Sequence, residues 1–295
     1  MSSETENTSS DNNNEKLAAI EANFGIGFGF GIISNEWVYY SLYHIYAAFY
    51  FANLSKHIEQ VYQNERATRQ PQDRIIILDK YFKQHRACVT SAIFSSVAFL
   101  EATINELFAE IVEFPNGYYA KQLDYNTKSQ IKILWKIDVQ NPSAKEAISY
   151  NLIENKRTLE KFQMVLSIAE KDALEQDSSP YQDINELIKI RNVLMHYKPQ
   201  MIVRSSSIES IPITKKFNGL NFHALESANK FIQNPLLEGG NAYFPDRCLG
   251  HGCAQWAADS SLKFVKLFYN KLGVEPNPGI DTYTNSANVT GIVFP

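Results

Sequence analysis

The sequence predicts an all-α protein, a helical bundle, and three observations carry that expectation. First, the stretches 84–113, 158–176 and 253–272 space their apolar residues at three and four, the period of a helix with one buried face. Second, β-branched alternation is confined to 201–217 (MIVRSSSIESIPITKKF), which reads as a small β-hairpin inserted between helices. Third, 44% hydrophobic and 20% charged residues, with no internal repeat, describe a globular chain with ample material for a core.

Taken in order, residues 1–16 (MSSETENTSSDNNNEK) are polar and acidic and predict a disordered tail. They lack a basic region followed by an apolar one, so they read as neither signal nor transit peptide, and the expected location is cytoplasmic. Three cysteines, Cys88, Cys248 and Cys253, make no disulfide framework. Glycine alternates with Phe or Ile over 24–33 (FGIGFGFGII), but neither the dinucleotide-binding nor the P-loop spacing is met. An apolar covering loop is expected there. The span 36–64 predicts a long N-terminal helix rich in Tyr and Phe, packed on the bundle as part of a region 17–74. Its segment 37–54 approaches membrane-span length, yet His44, Asn53, Ser41 and five tyrosines favour a buried or dimer-forming helix, so no membrane is expected.

After a polar linker at 68–74, the bundle proper is expected over 75–273. Its first helix, 84–113, carries Glu101 and Asn105 four residues apart, hence on one face. Shorter helices near 128–137 and 143–151 lead to 158–176 and then to 183–198. An insertion at about 200–245 contains the hairpin and a short helix at 224–232. The helix 253–272 follows, with Ala257, Phe264, Val265, Phe268 and Leu272 facing in. A Pro-, Asn- and Thr-rich tail, 274–295, closes the chain, draped through 292–294.

Most of the chemistry gathers in 183–198, DINELIKIRNVLMHYK. Asp183 is placed to cap this helix and Pro199 to stop it. Its apolar stripe runs Ile184, Leu187 and Ile188, then Leu194 and Met195, and Arg191 falls where the next apolar residue belongs. A guanidinium on a packing face needs a counter-charge. Two sources are open: a phosphate or a partner subunit, or Glu101 of the same bundle. Likewise His196 is either a proton carrier or a cap on the helix carboxyl end. From 183 to 216 six basic residues (Lys189, Arg191, Lys198, Arg204, Lys215, Lys216) face three acids, a local +3 on a chain of net −4.

The order of a Glu-bearing helix (SSVAFLEATINELF), a second helix, then a helix ending Arg191-Asn192-x-x-x-His196 resembles the HEPN superfamily, the higher-eukaryote and prokaryote nucleotide-binding domains. The family pattern is Arg, four to six residues, then His, usually with Asn, Asp or His after the Arg. The resemblance spans roughly 84–273. It implies a metal-independent endoribonuclease, without cofactor, acting on single-stranded or looped RNA. The implied active site is composite, assembled from two copies in a homodimer, and such proteins occur as toxins, defence effectors and partners of antitoxins. Many members lack activity and bind RNA, nucleotides or proteins instead, which is the alternative function. Members modified by an adenylyl-transferring partner carry Tyr two residues after the His. Here Tyr197 follows directly and Lys198 takes that place, so this regulation is not implied.

In this reading Arg191, Asn192 and His196 are catalytic. Arg191 binds two phosphate oxygens, Asn192 orients the imidazole or the phosphate, and His196 moves a proton during attack of the 2′-hydroxyl, leaving a 2′,3′-cyclic phosphate. Lys189, Tyr197, Lys198 and Arg204 are candidate substrate contacts, with Glu101 and Asn105 as supports of Arg191. Arg191 and His196 are five positions apart, about 140° around an ideal helix. Either the helix ends near Met195, or two motifs converge across a dimer. Convergence is the expectation. Elsewhere, Cys248-Leu-Gly-His251-Gly-Cys253 is a compact Cys/His group, but zinc wants four ligands and no second pair exists; a helix start is expected there, and no metal. Tyr118-Tyr119 and Trp135-Lys136 are aromatic pairs able to stack bases or fill a core.

Overall fold

The computed structural model describes residues 37–70, 74–135, 137–139, 148–150, 153, 155–199, 230, 232–237 and 241–289, with backbone alone at 74–77, 137–139 and 148–150. The tail at 1–16, the glycine-alternating loop at 24–33, the hairpin expected at 201–217 with Arg204, Lys215 and Lys216, and residues 292–294 lie outside them. The chain divides into two units, Met1–Val38 and Tyr39–Pro295. Of the first, only Trp37 and Val38 are described.

The second unit is an all-α bundle. We label its helices α1 (Tyr40–Thr68), α2 (Arg74–Glu113), α3 (Tyr125–Trp135), α4 (Thr158–Ile168), α5 (Ser179–Met195), α6 (His251–Leu272) and α7 (Gly279–Ser286). Helix α2 is the central post. Val89, Ile93, Val97, Leu100, Ile104, Leu107, Phe108 and Ile111 are all buried, and so are Ala92, Phe99 and Thr103 on its flanks. A helix apolar on most of its circumference must be covered on most of it, and α1, α3, α4, α5 and α6 all pack on α2. Among the described residues, Leu78–Glu113 is the helix long and apolar enough to cross a membrane. The bundle supplies that cover here. The tyrosine-rich α1 does not pass the same test; it packs on α2, α6 and α7, and its buried face is Ser41, Ile45, Ala48, Phe49, Ala52, Ser55, Ile58 and Tyr62.

Helix α6 closes the core with Ala254, Ala257, Ala258, Phe264, Val265, Phe268 and Leu272. It starts at His251, whose N–H donates to Glu59 Oε1 at 2.6 Å. It ends at Gly273, where φ is +76°, the left-handed conformation that closes many helices. Phe162 of α4 meets Phe264 and Phe268 edge-on at 5.1 and 4.7 Å.

Several expected elements move. Helix α2 begins about ten residues before the expected start at 84. The expected helix at 143–151 gives way, in its last part, to a two-stranded antiparallel pair, β1 (Ile137–Val139) with β2 (Ile148–Tyr150), Ile137 opposite Tyr150. Helix α4 stops at Ile168 rather than 176, because Glu170 takes φ +54° and the chain turns back. The Gln163 side chain then stands in for helix hydrogen bonding, donating to Leu174 O at 2.6 Å and accepting from Leu174 N at 2.9 Å. Helix α5 starts at Ser179, with Pro180 in its first turn, so Asp183 is not its cap. Asp183 instead accepts from Lys230 and from Ser179. Lys230 and Ile232 are not helical, so the helix expected over 224–232 does not extend through them. The C-terminal tail holds the unforeseen α7, seated on α1 through Tyr283 against Tyr43 and Tyr46, and through Asn53 Nδ2 donating to Ala287 O at 2.7 Å.

Candidate functional site

Helix α5 sets the site by its rotation. Ile184, Leu187, Ile190 and Val193 form its buried face. Ile188 and Leu194 are only partly buried against the core, and Met195 is exposed. The true stripe is therefore rotated from the expected one, and Arg191 sits beside it rather than in it. Its guanidinium reaches across to the central helix, where Nη2 donates to Glu101 Oε1 at 2.5 Å. Of the two counter-charges left open by the sequence, the one within the chain is present. The Arg191 side chain is 18% exposed and Glu101 44%, so the carboxylate lies on the solvent side of the pair. Arg191 Nε is buried without a hydrogen-bond partner.

The pair lies in a cleft of ≈ 690 Å³ between α4 and α5, floored by α2. Glu101 and Asn105 project from the floor, one turn apart. Each holds a cation from a different wall: Glu101 takes Arg191 of α5, and Asn105 Oδ1 accepts from Lys161 Nζ of α4 at 2.8 Å. Lys161 is buried, which is unusual for a lysine and is tolerated because its ammonium meets an oxygen at the cleft floor. The amino-terminal turn of α4 supplies the second wall. Thr158 Oγ1 donates to Glu101 Oε1 at 3.3 Å, and Glu160 folds back to accept from Arg157 N at 3.2 Å. The lining carries five basic residues (Lys156, Arg157, Lys161, Lys189, Arg191) against two carboxylates (Glu101, Glu160). That +3, set next to a helix amino terminus, favours an anionic ligand. A neighbouring pocket, sharing Lys156, Glu160 and Tyr181, lies against the same wall.

The candidate residues read from the sequence divide accordingly. Arg191, Asn192, Lys189, Glu101 and Asn105 line the cleft. Lys189 Nζ also bonds Glu186 at 2.7 Å. His196 does not line it. Helix α5 ends at Met195, and His196 is its exposed C-cap, with N–H donating to Asn192 O at 2.9 Å. The early helix end is the first of the two geometries open to Arg191 and His196. Tyr197 and Lys198 are exposed beyond it, Tyr197 with its ring 6.5 Å from Phe244. Arg204 is outside the described residues.

Lys156, Arg157, Thr158 and Lys161 went unrecognised in the sequence. The signal was present as a basic run, Lys156-Arg157, immediately before a helix start, and as a lysine flanked by the buried Phe162. Among the described residues, three of the five cleft cations (Lys156, Arg157 and Lys161) come from the start of α4 and two (Lys189 and Arg191) from α5.

The other candidates serve the core. Cys248 and Cys253 are buried, and burial pushes the Cys253 thiol up to about 12 and Cys248 well above its ordinary value. His251 Nδ1 lies 3.0 Å from Ala52 O. Among the described residues no three His, Cys, Asp or Glu side chains are grouped to hold a metal ion. Tyr119 stacks on buried Tyr269 at 4.9 Å, and Trp135 stacks on Phe108 at 5.6 Å, which occupies both rings inside the bundle.

Comparison of the chain with protein-family models, with curated proteins and with solved structures finds no match. The HEPN resemblance rests on the Arg191-Asn192-x-x-x-His196 motif and its place at the end of a bundle helix.

Proposed function

We propose that this chain is a HEPN-like domain acting on RNA. It seats the phosphodiester backbone in the cleft between α4 and α5 and cleaves it, without a metal, at a composite site of two copies. The observation that carries the proposal is the cationic cleft itself: Arg191 and Asn192 of the motif share one open cavity with Lys156, Arg157 and Lys161. A polyanion is drawn to such a cleft, and an arginine there can bind two phosphate oxygens at once. His196, exposed at the end of α5, is left accessible to a second copy and its bound RNA. In that arrangement Arg191 stabilises the charge that develops on the phosphorane, while His196 moves the proton of the 2′-hydroxyl or of the leaving oxygen.

A second reading, a non-catalytic module that binds RNA, a nucleotide or a protein partner, is favoured by one specific observation. Arg191 is already paired within its own chain, and His196 stands outside the cleft that Arg191 lines. Cleavage of a single-stranded RNA in chelator-containing buffer separates the two. Under the nuclease reading, wild type cleaves to a 2′,3′-cyclic phosphate, Arg191→Ala and His196→Ala lose all detectable cleavage, and both variants stay folded. Retention of RNA binding with no cleavage by wild type selects the binding module. Full cleavage by both variants rejects the motif as the active site.

A further inference from the structure

The cleft already contains an anion of its own. Glu101 Oε1 accepts from Arg191 Nη2 at 2.5 Å and from Thr158 Oγ1 at 3.3 Å, at the amino-terminal turn of α4. A guanidinium edge, a hydroxyl and a helix amino terminus are the donors that ordinarily receive a phosphate oxygen. We infer that Glu101 is a resident surrogate for phosphate, a built-in competitor that an incoming phosphodiester must displace before it can engage Arg191. The inference rests on the proposed reading of this cleft as the RNA-binding site, and adds to it how access is regulated.

Three features of the geometry support displacement rather than simple addition. Glu101 is the more exposed partner, so its carboxylate is the member of the pair that solvent meets more readily. Arg191 Nε is buried and unpartnered, so the contact with Glu101 leaves the Nε–H of the guanidinium unused. With Glu101 displaced and the guanidinium turned toward the cleft, a phosphate binding side-on would use Nε together with a terminal nitrogen, a bidentate contact that the single oxygen of Glu101 does not make. The neighbouring position on α2 is occupied differently. Asn105, one turn away, meets Lys161 with a neutral amide oxygen, so the negative charge on the cleft floor is concentrated at position 101, against Arg191. A ligand with several phosphates can replace that carboxylate; a weakly charged one cannot.

The test uses the full chain and a fluorescein-labelled 2′-O-methyl oligouridylate, which cannot be cleaved by 2′-hydroxyl attack, with binding read by anisotropy. Glu101→Gln keeps the shape and an acceptor oxygen but removes the competing charge. It is expected to bind roughly tenfold tighter, the scale of one released close charge pair. Glu101→Asp keeps the charge and is expected to stay near wild type. The gain should vanish in Glu101→Gln combined with Arg191→Ala. If Arg191→Ala weakens binding but Glu101→Gln does not tighten it, or Glu101→Asp tightens it equally, the resident-anion inference is overturned and the cleft reading stands. If wild type and Arg191→Ala bind alike, or neither binds, the cleft reading falls and the inference with it.

Discussion

Removing the Glu110 carboxylate is expected to be among the most damaging single changes in the bundle. Glu110 is fully buried near the carboxyl end of α2. Its Oε1 accepts from Tyr119 N at 2.6 Å and Ala120 N at 2.8 Å, and its Oε2 accepts from Tyr39 OH at 2.6 Å. One carboxylate thus ties the start of α1 to the turn that leads into α3. The chain also wraps it closely, since a Cβ built on Gly117 would lie 2.3 Å from Oε1. In Glu110→Ala two buried amides lose their acceptor, at about 1–3 kcal/mol each. Tyr39 is partly exposed and recovers much of its loss through water. The sum is a destabilisation of about 2–6 kcal/mol, a large part of the ~5–15 kcal/mol that holds a typical domain together. Glu110→Gln keeps one oxygen for both amides and is expected to lose about 1–2 kcal/mol, the difference between charged and neutral acceptors. Urea unfolding followed by far-ultraviolet circular dichroism measures both variants against wild type. An alanine variant within about 1 kcal/mol of wild type would refute the reasoning, because buried amides without acceptors cannot be that cheap.

Two further outcomes are expected of the interior. Burial pushes the Glu106 carboxyl above its ordinary range, opposed by the Ser41 N–H that donates to it at 2.8 Å. A carboxyl whose folded value is raised adds stability at low pH that is lost as pH climbs from the unfolded value through the folded one. Glu106→Gln removes that loss, so its stability relative to wild type should rise as pH climbs above the unfolded carboxyl value of about 4; parallel stability profiles would contradict this. Gly252, in the first turn of α6, leaves room for the Ile232 backbone, because a Cβ there would lie 2.6 Å from Ile232 N and O. Gly252→Ala is expected to speed proteolysis near 232–237 by several-fold, while the bundle core keeps wild-type resistance; unchanged cleavage would mean the contact is dispensable.

How much of the site was legible depends on whether the information was local. The Arg191-Asn192-x-x-x-His196 spacing is local, and so is the one-turn separation of Glu101 and Asn105, so both were visible in the chain. The rotation of α5 is not local. Leu187 and Ile188 are adjacent apolar residues, and either could head the buried face. The choice of Leu187, Ile190 and Val193 was made by the surface of α2 and α6, and that choice moved Arg191 to the flank where Glu101 meets it. A lysine beside an apolar residue is a weak local sign, because Lys161 next to Phe162 also looks like ordinary solvent-facing polarity. Only its contact with Asn105, 56 positions away, turns it into part of a cleft. The premature end of α4 has the same origin: the pattern Leu159, Phe162, Leu166, Ala169, Ala173 continues smoothly, while Gln163 and Leu174 bond across a turn that periodicity cannot register.

Hydrophobic period alone determined that this chain is helical and that 84–113 and 253–272 are strong helices with one buried face, because a helix face is written in every third and fourth residue. Which cations gather, and which carboxylate answers Arg191, only the tertiary structure decided. Charge pairing acts through space over a few ångströms, and Glu101 and Arg191 come that close only after α2, α4 and α5 have packed.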